Sequence, residues 1–285
     1  MRCCIPQNPL QPKSISPMNN DMIQSSKNEG SRYTVPALAR GLEILGYFTH
    51  ERRVLSGAQL AKMADLPRAS VFRMLQTLEQ AGYLERVGEP GTHPSYRLGV
   101  AVLRLGFEFL SSMELTEQGR PVLESLSDAC GYSSHIVVRD GRDVVVVAKA
   151  LGRLATFHAI QIGARLPAHA TVLGRVLLGG LDLEHITQLY AGIEMKQFSK
   201  STPQSAQALK TLVDAATEAG YAVSQGGFES GISTIAAPVF NADKQVIAAV
   251  SITVLSSRIP EDKLPLLITQ VKEAAHILSW RLQHV

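Results

Sequence analysis

Residues 66–88 read LPRASVFRMLQTLEQAGYLERVG, and both ends of a helix are marked in them. Pro67 suits a first helical position, where its missing N–H is not needed, and Gly82 suits the close. Between them Val71, Met74 or Leu75, and Leu78 recur at three- to four-residue spacing, the period of a helix with one buried stripe. Arg68 and Arg73 nevertheless stand on its leading turns, with Ala69, Ser70 and Thr77 also off the stripe. Such a helix has one face for a core and a second face for a different partner.

The flanking residues narrow the choice. VPALARGLEILGYFT, residues 35–49, places Leu38, Leu42, Leu45 and Phe48 at helical spacing. SGAQLAKMADL, residues 56–66, opens on Ser56 with Gln59 three residues later, the spacing of a capping box. After Gly82, Tyr83 to Val87 and Ser95 to Leu98 read as two short strands around a tip rich in Gly and Pro. Three helices followed by a hairpin make a winged helix-turn-helix over residues 31–98. In that motif the start of the third helix enters the major groove of double-stranded DNA. Arginine there can bond guanine edges bidentately, and short hydroxyl side chains reach bases or phosphates. Arg68, Ala69, Ser70, Arg73 and Thr77 are therefore the expected groove-facing set, and Arg86 and Arg97 on the wing the expected phosphate contacts.

Charge supports this weakly. The net charge is only +3, but residues 31–110 hold ten Lys or Arg against seven Asp or Glu, while residues 111–285 hold fifteen against sixteen. Cys3, Cys4 and Cys130 form neither a disulfide framework nor a C-x-x-C metal pair, which fits a reducing compartment. No apolar run reaches transmembrane length and the start lacks a continuous apolar leader, so a cytoplasmic location with no membrane partner is expected. Residues 1–30, rich in Asn, Pro, Ser and Gln, read as a disordered tail, with Met18 or Met22 as alternative starts.

GVAVLRLGFEFLSSM, residues 99–113, is apolar on two faces. Val100, Leu103, Phe107 and Leu110 mark one; Val102, Leu105 and Phe109 mark nearly the opposite one. A helix of this kind must be covered twice, which implies a partner helix or burial inside one large domain. A reader of two half-sites needs a dimer to set their spacing, so the segment is expected to be a dimerising linker in a homodimer or homotetramer.

Residues 114–285 alternate between helices and strands. ELTEQGRPVLESLSDACG is helical and closes at Gly131; SSHIVVRDGRDVVVVAKALG is a hairpin turning at Asp140-Gly141. LATFHAIQIG, residues 154–163, reads as a third strand. Helices are expected at about 168–180, 182–190 and 203–219, then strands in YAVSQ, ISTIAAPVF and QVIAAVSITVL, then a helix from about Pro260. Hairpin-linked strands mean a mainly antiparallel sheet with helices packed on it.

Catalytic patterns are missing. No G-x-S-x-G elbow, P-loop, dinucleotide fingerprint or H-E-x-x-H occurs. His158 and His169 lie eleven residues apart without a carboxylate at ligand spacing, so neither a metal nor a cofactor is expected. A lone histidine in apolar surroundings is more often a structural hydrogen-bonding residue.

ARGLEIL (39–45), LPRASVFRMLQTLEQAGYL (66–84), YRLG (96–99), GARLPAHATVLGRVLL (163–178), GISTIAAPVF (231–240) and AAVSITV (248–254) together resemble the IclR family of bacterial transcriptional regulators. The resemblance spans roughly residues 32–283, and RLPAHAT is its most specific block. It implies an α+β two-domain chain: a winged helix-turn-helix, a linker helix and, over 114–285, a GAF- or profilin-like effector domain. It further implies an effector pocket between the loop and helix after the third strand and the last two strands. Carried over by position, the lining is Ala155, His158, Val172, Leu173, Ser224, Thr234, Ser251 and Thr253. Apolar walls, four hydroxyls and one imidazole would suit a small organic acid. Ser224 and Gly226 stand where relatives often carry acidic residues, and a loss of anions would ease acceptance of an acid. IGARLPAHATVLGRVLLG resembles the branch responding to protocatechuate, para-hydroxybenzoate and related aromatic acids; the alternatives are a glyoxylate- or sugar-acid-responsive regulator, and a ligand-binding enzyme with an auxiliary DNA-binding domain.

Overall fold

The computed structural model describes residues 34–49, 51–88, 94–111, 113–154 and 160–284. They fall into two compact units that divide between Ser112 and Met113. The tail 1–30, the wing tip at 89–93, and residues 155–159 lie outside the described residues.

The first unit begins with α1 (Pro36–Gly46), β1 (Leu55–Ser56), α2 (Gly57–Met63) and α3 (Arg68–Gln80). It continues with β2 (Leu84–Val87), β3 (Ser95–Leu98) and α4 (Val100–Ser111). The capping box forms as spaced: the Gln59 amide donates to Ser56 Oγ at 3.3 Å, and the Ser56 amide donates to Gln59 Oε1 at 2.8 Å. The turn into α3 is tight enough to put Asp65 at φ 50°. Pro67 sits one position earlier than its preference suggested, as the residue preceding α3. Gly82 takes φ 76°, the left-handed conformation that ends α3 and admits the hairpin. A two-residue strand, β1, joins β3 and makes a three-stranded sheet in the order β1-β3-β2.

The core of this unit is Ile44, Phe48, Leu55, Leu60, Val71, Leu75, Leu84 and Tyr96. Leu38 and Leu42 were expected in it and are exposed. Helix α1 carries two apolar stripes at the same period, and Gly41 and Ile44 face inward instead, with the expected Phe48 buried just after the helix. Helix α4 is exposed on both expected faces, with Leu103 70% and Phe107 65% exposed on one and Leu105 and Phe109 exposed on the other. Helix α4 is the last element of the first compact unit.

The second unit has α5 (Glu114–Cys130), β4 (Ser133–Asp140), β5 (Asp143–Ala150), β6 (Arg165–Pro167), α6 (Val172–Leu177) and α7 (Leu183–Leu189). Then come α8 (Ala206–Ala219), β7 (Ala222–Gln225), β8 (Ser233–Phe240), β9 (Val246–Val254) and α9 (Leu264–Gln283). Among the described residues its strands run β6-β5-β4-β9-β8-β7, every pairing antiparallel. Residues 155–159, the middle of the expected strand LATFHAIQIG, lie outside the described residues; just after that segment residues 161–164 turn, and β6 pairs Arg165–Pro167 with β5. Helix α6 is shorter than the 168–180 expected, because Ala168 to Thr171 form a turn before it.

Alternation along β4 sorts the layers. Ile136 meets α5 and α9, where a Cβ on Gly119 would lie within 2.2 Å of Ile136 Cδ1 and 3.5 Å of Leu278 Cδ2. Val137 instead joins the core formed with α6, α7 and α8 through Val146, Leu173, Leu177, Ile186 and Leu209. The sheet is thus covered on both faces, and the α6 face carries the candidate site.

Candidate functional site

On α3, buried Val71 and Leu75 anchor one face to the core. Arg68, Ala69, Phe72, Arg73, Gln76 and Thr77 are exposed on the opposite side, one continuous strip at helical spacing. Ser70 is half-buried. The Thr77 hydroxyl donates to the Arg73 carbonyl at 3.0 Å, which leaves only its lone pairs and methyl for a partner. Phe72, 46% exposed at the centre of the strip, was not singled out from sequence, because a lone aromatic at that position reads equally as core. An apolar contact of that kind can meet a thymine methyl in a major groove.

The arginines divide into two sets. Arg68 and Arg73 have no ion-pair partner among the described residues. Arg86 is held by Glu79 at 3.2 Å and lies over the Tyr96 ring; Arg97 is held by Glu85 at 2.8 Å. Both wing pairs are exposed, so a phosphate competes with each carboxylate at little cost.

In the second unit the sheet register builds a cavity. Thr253 on β9 pairs with Thr234 on β8, and Thr234 with Ser224 on β7, so three hydroxyls lie along one rung. Two residues along β9, Ser251 pairs with His135 on β4. Helix α6 lies over them and brings Thr171, Val172 and Leu173; Ile160, Leu166, Phe228, Glu229 and Ile232 complete a cavity of about 70 Å³. The six described members of the expected lining, Val172, Leu173, Ser224, Thr234, Ser251 and Thr253, all face this one cavity. Ala155 and His158 lie outside the described residues.

Local chemistry sets the cavity's roof. Thr171 Oγ1 accepts from the Gly174 amide at 3.1 Å and caps α6. Gly174 itself is needed for close approach: a Cβ there would stand 2.0 Å from the Ala168 carbonyl oxygen. His169 belongs to the frame and not to the cavity, with Nε2 at 3.0 Å from the Lys196 carbonyl and its ring against Tyr190 and Phe198.

Two lining residues change the electrostatics inferred from sequence. Glu229 sits in the wall, so the neutrality expected from Ser224 and Gly226 is broken from a different position. His135 is 2% exposed and neither ring nitrogen has a hydrogen-bond partner among the described residues. Burial, reinforced by Lys149, pushes its pKa down to about 4. An unpaired polar group in a closed interior ordinarily costs about 1–3 kcal/mol. In SSHIVV this histidine is hidden among strand formers, and only its pairing with Ser251 shows where it is.

The comparisons with known proteins now have a geometry to meet. Residues 37–88 match the IclR helix-turn-helix domain, and residues 107–280 match the bacterial transcriptional regulator IclR C-terminal domain. The chain belongs to the IclR family. It is 31% identical over 245 residues to the HTH-type transcriptional regulator XynR of Escherichia coli K12, covering 86% of this chain and 96% of that one. It is 29% identical over 249 residues to the Pca regulon regulatory protein of Pseudomonas putida, covering 85% and 84%. The crystal structure described as a transcriptional regulator, RHA06195, from Rhodococcus sp. RHA1 superposes with TM-score 0.73 at 33% identity, covering 87% of this chain and 98% of that one. The α+β two-domain IclR fold and the role of a DNA-binding transcriptional regulator follow from these matches. They do not single out one effector branch. No helix among the described residues is long and apolar enough to cross a membrane.

Proposed function

We propose that this IclR-family regulator binds operator DNA as a homodimer or tetramer and that a small organic acid, aromatic in class, held in the cavity between the sheet and α6, controls that binding. The convergence of all six described candidate residues on one cavity carries this reading. In the DNA-binding half, Arg68, Ala69, Ser70, Arg73 and Thr77 read the groove while Arg86 and Arg97 position the backbone. Residues 31–98 form the DNA-binding domain and 99–113 the dimerising helix, whose exposed Val100, Leu103 and Phe107 need a partner. Residues 114–285 form the effector domain. The chain acts as a cytoplasmic switch without catalysis.

The resemblance of the IGARLPAHAT segment supports an aromatic acid, and one matched relative is named for the Pca regulon. The cavity volume of about 70 Å³ favours a second reading, a short acid such as glyoxylate or glycolate, because a benzene-sized ligand occupies a void of about 150 Å³. Fluorescence anisotropy of the intact protein on DNA from upstream of its own gene, titrated with 4-hydroxybenzoate, protocatechuate, glyoxylate and glycolate, separates the two. A regulator changes DNA affinity with one class and returns that acid chemically unchanged. Turnover of the acid with no effect on DNA affinity would establish the enzyme alternative instead.

A further inference from the structure

The cavity contains one side chain whose state is incomplete within the protein. His135 lies mid-strand on β4, opposite Ser251 on β9 and Lys149 on β5. It is buried, it faces the cavity, and both its nitrogens lack partners among the described residues. The groups that bear on it are few. Lys149 donates to Gln161 Oε1 at 2.7 Å, Ser251 stands beside it, and Glu229 is the one charged side chain among the described lining residues. No lysine or arginine lines the cavity among those residues.

These facts decide what can sit against the ring. A neutral imidazole offers one N–H and one lone pair. A carboxylate only accepts, so it can meet only the nitrogen that carries the proton and leaves the ring's lone pair unmatched. A hydroxyl both donates and accepts, carries no charge, and can reach the Ser251 hydroxyl as well. We propose that His135 is a direct ligand contact that receives a hydroxyl of the effector, so that the effector is a hydroxylated acid bound with its hydroxyl, and not its carboxylate, at the β4–β9 end of the cavity. The inference rests on the cavity being the effector site and assigns that site its specificity residue. Since burial keeps the ring neutral down to about pH 4, the contact is insensitive to pH in the neutral range.

The test uses two matched pairs, 4-hydroxybenzoate against benzoate and glycolate against acetate, titrated calorimetrically into the full-length protein at pH 6 and pH 8. The wild type should bind the hydroxylated member of one pair about tenfold more tightly, equally at both pH values, and His135→Phe should abolish that preference. Should the variant fold poorly, long-range ¹H–¹⁵N spectra of the wild-type imidazole give a second readout. The His135 ring nitrogens should shift with the hydroxylated acid and stay in place with its parent. Equal affinities within the binding pair, a preference that survives in His135→Phe, or affinity lost tenfold between pH 6 and pH 8 would overturn the hydroxyl contact while leaving the effector site standing. Failure of all four acids to bind the wild type, with the His135 resonances unmoved, would overturn the reading of the cavity itself.

Discussion

His135 and the α3 arginines place opposite demands on their surroundings. His135 is buried without partners, and its protonated form is excluded until about pH 4, whereas an unfolded chain protonates it near pH 6.5. Between those values the unfolded state holds the extra proton, so stability is complete above the ordinary imidazole range and falls as pH falls through the window. From pH 6.5 to pH 5 this amounts to about 2 kcal/mol. Urea unfolding at pH 7 and pH 5 should therefore show a loss in the wild type that exceeds the loss in His135→Phe by about that amount; equal losses would mean that the ring is solvated. The exposed Arg73 belongs to the opposite case. Arg73→Ala should leave the fold intact and reduce operator binding by about 1–3 kcal/mol with altered base preference. Arg86→Ala, after exchange of Glu79 for a phosphate, should weaken all sequences alike and lower the salt slope by about one. A base-preference change from Arg86→Ala larger than its effect on the slope would put base reading on the wing.

Elements follow from sequence where one residue type has one meaning. Gly82, Gly131 and the Ser56–Gln59 pair set helix ends because their backbone geometry or spacing admits few alternatives. Helix α1 was misread at Leu38 and Leu42 because an apolar residue at helical period does not say which of two stripes is covered. Strand β6 was not legible for a similar reason: its three residues carry no pattern of their own and are fixed by pairing to β5, and the loop between β6 and α6 is fixed by the close approach of α6. That approach can be tested. Gly174→Ala places a methyl against the Ala168 backbone, and overpacking of this kind costs about 1–3 kcal/mol. Calorimetry should show a lowered melting temperature together with weakened acid binding; an unchanged thermogram would mean that α6 tolerates displacement. Helix α4 is the complementary case, with Leu103 and Phe107 exposed. Leu103→Glu with Phe107→Glu should leave the monomer folded and shift sedimentation at micromolar concentration toward the monomer, and an undisturbed oligomer would place the interface elsewhere.

At the scale of the whole molecule, the α+β division and the α3 face were legible because periodicity, caps and turn residues agree along continuous stretches. The cavity was legible only through the family resemblance. Its hydroxyls come from three strands distributed over residues 224–253, and His135 enters through pairing with a strand more than a hundred residues away. No local pattern encodes such a meeting. The central claim is that an acid in this cavity and DNA on α3 are coupled, and coupling between two sites is reciprocal. The decisive measurement is the DNA dissociation constant of the full-length protein with and without saturating acid, set beside the acid's dissociation constant with and without saturating DNA. The account predicts that both ratios depart from unity by the same factor, about 5- to 150-fold. Tight acid binding that leaves DNA affinity unchanged would contradict it.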